Sequence, residues 1–378
     1  MVTTASAVAA VGVVAGMLSA LDEGGGKDQA RPEVTKSPTF APLPAVPTPS
    51  ASVSSGASAK PSPAKTSAAP EPEPTPKPST RRPEKQSTAA PAADSLYRHG
   101  DSQVLDWVRA HRGDPRRPLI ESRIAARPAA VWFADYAPGT ITSRVRAVSS
   151  AAGNRVPVVV PYAIPERDCG GASDGGAPDL AAYDAWIEKF AAGLGSGEVI
   201  VILEPDAVAQ SECLSAKQRT ARNASLARAG RTLKAANPEA RVYYDAGHSG
   251  WNSPAEQAGR LRAAGAASPA SSDGVFTNVS NFRRTADEAA YARRVLSALG
   301  GPASLGAVID TSRNKNGAPA DGEWCDPAGR GLGRNPTLRT GEARIDAYLW
   351  IKLPGESDGC RGEPGTFSPG YAYDLARG

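Results

Sequence analysis

The run Glu198-Val199-Ile200-Val201-Ile202-Leu203-Glu204-Pro205-Asp206-Ala207-Val208-Ala209-Gln210 decides the fold. Residues 199–203 are an unbroken apolar run rich in β-branched side chains. So short a run without alternation is the pattern of a strand buried on both faces, as inside a parallel sheet. Pro205 has no N–H for a ladder and ends the strand. Glu204 and Asp206 therefore fall just past the C-terminal end of a buried strand, where α/β barrels carry their working groups. A carboxyl against such an apolar wall holds its proton toward neutral pH. The competing reading is a helix N-cap, a role aspartate often takes.

Working outward, strand patterns fall at 130–136, 156–164, 241–245, 274–278, 305–310 and 347–352 besides 199–203. Helical patterns fall at 102–111, 180–194, 216–236, 254–264 and 286–299. Ser253 before Pro254, and Thr285 before Ala286-Asp287-Glu288, are helix-start signals. Strands and helices in alternation with short connections imply a mostly parallel sheet. About seven strands predict a (β/α) barrel of the TIM type, complete or incomplete, and a doubly wound open sheet is the alternative. Four strand ends deliver carboxylates to one face: Glu166 and Asp168, Glu204 and Asp206, Asp245, and Glu356 with Asp358. One such event is compatible with capping; four point to a shared acidic site.

The folded part begins near residue 94. Residues 27–93 hold 15 of the 34 prolines and a single aromatic, Phe40. That composition cannot bury enough apolar surface to offset chain ordering and reads as a disordered Pro/Ser/Thr/Ala linker. It carries nine Lys/Arg against five Asp/Glu, a balance of +4, equal to the net charge of the entire chain. The remainder is neutral, so no nucleic-acid partner is indicated. Residues 3–21 are uncharged and largely apolar, and residues 1–26 read as a signal peptide or a retained N-terminal membrane anchor. Either implies a secreted or surface-tethered protein. Four cysteines in an exported chain favour two disulfides. No C-x-x-C pair and only three histidines argue against a zinc site, and no cofactor is expected. The order Gly247-His248-Ser249-Gly250 is not a Gly-x-Ser-x-Gly elbow, and the glycines at 193, 195 and 197 precede a strand, unlike a dinucleotide turn.

Several carboxylates without a metal cluster suit general acid–base chemistry. Cleavage of a glycosidic bond needs a protonated acid on the leaving oxygen and a second carboxylate. Sugar rings stack on indoles, and Trp132, Trp251 and Trp324, with Tyr162, lie near strand ends, whereas Trp107 and Trp186 read as core.

The segments Tyr162-Ala163-Ile164-Pro165-Glu166-Arg167-Asp168-Cys169, Leu203-Glu204-Pro205-Asp206, Tyr244-Asp245-Ala246-Gly247-His248-Ser249-Gly250-Trp251, Thr277-Asn278-Val279-Ser280-Asn281, Asp310-Thr311-Ser312-Arg313-Asn314, Glu323-Trp324-Cys325-Asp326 and 350–360 resemble glycoside hydrolase family 6, the cellulases. The resemblance runs from about Ala130 to the C-terminus. It implies a distorted seven-stranded barrel and inverting hydrolysis of β-1,4-glucan, with a monomeric enzyme expected. It implies Asp206 as general acid and Asp168 as the charge that raises its pKa and joins the proton network. Asp358 matches the position of the base, Asp245 orients the reacting sugar, and Tyr162 presses that ring out of its chair. Arg167, Lys352 and Glu356 would hold the charge network, and Trp132, His248, Trp251, Asn278 and Trp324 would line the subsites. The family pairing implies disulfides Cys169–Cys213 and Cys325–Cys360. The modest segment 311–345 favours an endo-acting enzyme over an exo-acting cellobiohydrolase, and a non-catalytic glucan-binding surface protein is the third reading. No cellulose-binding module is read, so soluble or amorphous β-glucan is the expected target.

Overall fold

The structure, a computed structural model, describes residues 95–378. The apolar segment and the linker expected at 1–26 and 27–93 lie outside the described residues. Seven strands, β1 (Val131–Phe133), β2 (Val158–Pro161), β3 (Val199–Leu203), β4 (Ala240–Asp245), β5 (Gly274–Thr277), β6 (Gly306–Asp310) and β7 (Ile345–Leu349), form one parallel sheet in chain order. A doubly wound sheet reverses its strand order at a switch point, so sequential order excludes that alternative. Among the described residues no ladder joins β1 to β7. Their edges meet instead through the Ala130 N–H on the Trp350 carbonyl at 2.9 Å and Trp132 Nε1 on the Ile351 carbonyl at 2.8 Å. The result is the distorted seven-stranded barrel.

Strand parity explains the unbroken apolar runs. Val158, Val160, Ile200, Ile202, Tyr243, Phe276, Val308, Ala347 and Leu349 pack together in one cluster, the barrel interior. Their alternating neighbours Val159, Val199, Val201, Val242, Val275 and Ile309 belong to a second cluster shared with the helices. Side chains alternate along a strand, so a strand buried on both sides needs apolar residues at every position. Each such side chain contributes about 1.5–3 kcal/mol on burial.

The outer layer is α3 (Ile141–Ala152), α4 (Leu180–Ala191), α5 (Ala216–Ala236), α6 (Pro254–Ala263) and α7 (Thr285–Leu299). Helix α1 (Gln103–Ala110), α2 (Arg117–Ile120, continued by a π turn) and α8 (Pro369–Arg377) pack together beside the β1/β7 seam around Trp350. Helix α5 starts with a full capping box between Ser215 and Gln218. The sequence pattern did not foresee α2, α3 or α8. The N-cap expected at Thr285 is corrected: Arg284 occupies the N-cap position, and the Thr285 hydroxyl accepts a bond from Asn314 Nδ2 at 3.1 Å instead. Among the described residues no helix is long and apolar enough to cross a membrane.

Candidate active site

The carboxylate-bearing turns gather over the C-terminal ends of the strands around a cleft of about 1090 Å3. Asp168, Asp206 and Asp358 line it together with Trp132, Tyr162, Arg167, His248, Trp251, Trp324, Lys352 and Glu356. Two residues expected there lie beneath the lining. Asp245 is buried, and its carboxylate accepts from the N–H groups of Ala209 at 2.8 Å, Gly247 at 2.8 Å and Val208 at 3.3 Å. Asn278 is fully buried, its amide donating to the Asp310 carbonyl at 2.8 Å and its oxygen accepting from Arg283 N–H at 3.0 Å. The subsite contact expected of Asn278 is therefore replaced by loop support: its short side chain points into the turn after β5.

The strand-end carboxylates divide by what they bond. Glu204 turns away from the cleft and accepts from Ala163 N–H at 2.9 Å and Ile164 N–H at 3.0 Å, which fixes the end of β2. Asp310 accepts from Ser312 N–H at 2.9 Å and Lys352 N–H at 3.0 Å. Asp206 instead faces the cleft, and its carboxyl meets the Tyr162 hydroxyl at 3.4 Å. No helix starts at Asp206: α5 is capped by Ser215, so the capping alternative falls. Asp206 and Asp168 both sit at positive φ, 71° and 54°. Such left-handed backbone in non-glycine residues is a strain that proteins retain mostly at functional sites.

Burial, then the charges of Asp245 and Asp168, push the Asp206 carboxyl up to about 8. Burial likewise raises Asp245, against the pull of its three backbone donors. The folded chain thus holds the Asp206 proton over a range where the unfolded chain has released it. The stability this confers is complete below the ordinary value of 3.8 and is lost as pH rises toward about 8. Asp206→Asn cannot ionise, so its melting temperature should match the native protein at pH 4 and exceed it by several degrees at pH 8. Equal gaps at both pH values in calorimetry would show that Asp206 titrates normally.

The walls are ordered around these groups. Tyr162 packs edge-on to Trp132 with ring centres 5.3 Å apart, and the Arg167 guanidinium lies 4.5 Å from the Tyr162 ring centre. Arg167 donates to the carbonyls of Ala134 and Ser173 at 2.7 Å and to that of Tyr162. It therefore fixes main chain around the β2 turn. From behind, Arg222 of α5 donates to the carbonyls of Pro165 at 2.7 Å and Glu166 at 3.0 Å. Asp168 accepts from Ser173 N–H at 2.8 Å, and a Cβ at Gly171 would lie 2.5 Å from its Oδ2, so only glycine permits this approach. The expected disulfides are present: Cys169–Cys213 next to Asp168, and Cys325–Cys360 across the turn of Asp358.

At the other wall, Asp358 pairs with Arg313 at 2.7 Å and Lys352 at 3.4 Å. Burial raises Glu356 beside them to about 7, with Lys352 and Arg313 opposing. Arg313 has a partner that its local sequence does not reveal; its signal is a charged residue three positions past buried β6. Trp251 is 38% exposed and Trp324 58%. His248 stacks obliquely on Trp251, and burial with the Arg283 charge lowers it to about 4, so it is neutral across working pH.

A cleft that brings several carboxyls together beside exposed indoles can seat an extended, ring-bearing ligand. Sequence comparison supplies the class. Residues 88–372 match the family model of Glycosyl hydrolases family 6, and the chain belongs to that family. It is a glycoside hydrolase. Endoglucanase 1 of Streptomyces sp. (strain KSM-9) is 54% identical over 295 residues, 77% of this chain and 80% of that protein. Endoglucanase A of Thermobispora bispora is 49% identical over 76% of this chain and 63% of its own length. The endoglucanase Cel6 from Mycobacterium tuberculosis, solved with methyl-cellobiosyl-4-deoxy-4-thio-β-D-cellobioside, is 38% identical. It covers 76% of this chain and 97% of its own, with a TM-score of 0.69.

Proposed function

We propose that this protein hydrolyses β-1,4-glucosidic bonds within cellulose or soluble β-glucan, as an endo-acting enzyme that inverts the anomeric carbon, with Asp206 as general acid. The observation that carries the reading is the contrast at the strand ends. Burial raises all four carboxyls, but Glu204, Asp245 and Asp310 are each engaged by backbone N–H groups, whereas Asp206 lines the cleft and meets the Tyr162 hydroxyl. A protonated carboxyl there hands its proton to the glycosidic oxygen as the bond to the anomeric carbon breaks. Water adds to that carbon from the opposite ring face and releases its proton into the network of Asp168 and Asp358. Tyr162, between Trp132 and Asp206, bears on the reacting ring, and Trp132, Trp251 and Trp324 stack its neighbours.

The substrate class is supported by two relatives named as endoglucanases and by the cello-oligosaccharide analogue bound in the Mycobacterium tuberculosis enzyme. Exposure of Trp251 and Trp324 supports sideways entry of a long chain, hence endo action. The two disulfides suit an extracellular protein. The same reading takes residues 94–378 as the hydrolase, behind a spacer at 27–93 and an export segment at 1–26.

Proton NMR of fresh cellopentaose products tests inversion: the α-anomer is expected first, and a β-anomer overturns the scheme. On carboxymethylcellulose, viscosity should collapse while few reducing ends have formed. Reducing sugar accumulating at undiminished viscosity would select the exo-acting reading, and no product at all would select the binding-only one.

A further inference from the structure

We propose that Asp326 is a positioning residue that joins the Trp324 platform to Asp358 as one hydrogen-bonded unit. The inference rests on the reading above that Trp324 stacks a sugar and that Asp358 serves the reaction.

Asp326 is buried at 3% exposure and sits at a φ of 47°. Its Oδ1 accepts from Asp358 N–H at 2.8 Å. Its Oδ2 accepts from the Ser357 hydroxyl at 2.6 Å, Arg361 N–H at 2.9 Å and Cys360 N–H at 3.0 Å. The exchange is reciprocal: Asp326 N–H donates to Asp358 Oδ2 at 3.2 Å, and Arg361 Nε donates to the Asp326 carbonyl at 3.3 Å. Burial works against its charge, yet the Ser357 hydroxyl and the three backbone N–H groups prevail and hold its carboxyl below the usual range. Charge-assisted bonds of this kind are about twice as strong as neutral ones.

The disulfide Cys325–Cys360 already tethers the two turns. A tether limits separation but does not fix the main chain at Asp358, whose carboxylate Arg313 and Lys352 hold from the other side. The Asp326 carboxylate fixes the main chain at Asp358, and the Asp326 N–H adds a further partner to the Asp358 carboxylate, although the two lie 32 residues apart in sequence. Trp324, two residues before Asp326, rides on the same unit. A ring stacked on Trp324 therefore bears on the geometry of Asp358, so the residue affects turnover more than binding.

The test compares Asp326→Ala, Asp326→Asn, Ser357→Ala, Trp324→Ala and Asp358→Ala of the full chain on cellopentaose, well below every melting temperature. Asp326→Ala should lower kcat by about 100-fold, the order expected for a small misplacement of a reacting group, with KM nearly unchanged. Asn retains one acceptor for Asp358 N–H and should recover part of the loss. Ser357→Ala removes one bond and should fall between, so the proposal stays testable if the alanine variant does not fold. Combining Trp324→Ala with Asp326→Ala should cost less in kcat than the product of the single effects. Native kcat with a lowered melting temperature in the Asp326 and Ser357 variants would reduce Asp326 to a loop staple, and multiplicative effects would refute the coupling. Native activity in Asp358→Ala would instead overturn the functional reading of Asp358 itself.

Discussion

Asp206→Asn is expected to lower kcat on cello-oligosaccharides by about 10²- to 10⁴-fold, the range for loss of a general acid, while calorimetric affinity for the same oligosaccharides stays near native. Asparagine matches the shape of a protonated aspartate and can still donate a hydrogen bond to the leaving oxygen, but it cannot release a proton. Ground-state contacts therefore survive and only the transition state suffers. The leaving group supplies a control. A cello-oligosaccharide with a 2,4-dinitrophenyl aglycone departs as a stabilised anion and needs no acid, so the variant should cleave it at nearly native rate. Loss of activity on both substrates would mean that Asp206 holds the sugar in place. Retention of more than a tenth of native kcat on the natural bond would move the acid to another group, and Glu356, raised to about 7 in the same cleft, is the next candidate.

The same carboxyl marks how far the sequence could be read. Strand β3 was legible because burial on both faces leaves an unbroken apolar run, and Pro205 dates its end. Helix α5 covers the residues its pattern predicted, 216–236, and the structure adds a capping box of Ser215 and Gln218 at its start. Helix α3 was not legible, since Ile141, Thr142, Val145, Val148 and its serines are weak helix formers and Thr140 makes no side-chain cap bond. Strand β1 has three paired residues where seven were read, because the edge next to the seam has a partner on one side only. In the site, residues whose work is local could be found from their position at strand ends. Arg313 and Asp326 could not, because each acts through a contact across more than 30 residues of chain. Asp245 and Asn278 share the strand-end position of Asp206, and only packing shows that their polar atoms are taken by backbone partners.

Asp358→Ala should be damaging in two separable ways. The Arg313 side chain is fully buried and pairs with Asp358, itself 7% exposed, at 2.7 Å. It also donates to the Tyr371 hydroxyl at 3.2 Å and the Ser280 carbonyl and lies 4.5 Å from the Phe282 ring centre, while Asp310 and Glu356 feel its charge without an ion pair to it. Removing one partner of a buried pair strands the other charge and costs about 3–5 kcal/mol, or roughly 6–15 °C in melting temperature for a domain of this size. A loss of activity in this variant is thus ambiguous between proton chemistry and a distorted wall. The double variant Asp358→Leu with Arg313→Met resolves it, since replacing a buried ion pair by apolar side chains of similar volume is often neutral in stability. Recovered melting temperature with activity still absent would assign chemistry to the carboxylate. Recovered activity would make Asp358 a counter-charge for Arg313 and leave Asp168 to accept the proton from water. A native melting temperature in the single variant would show that Arg313 has no need of the pair, and the electrostatic account of this wall would fall.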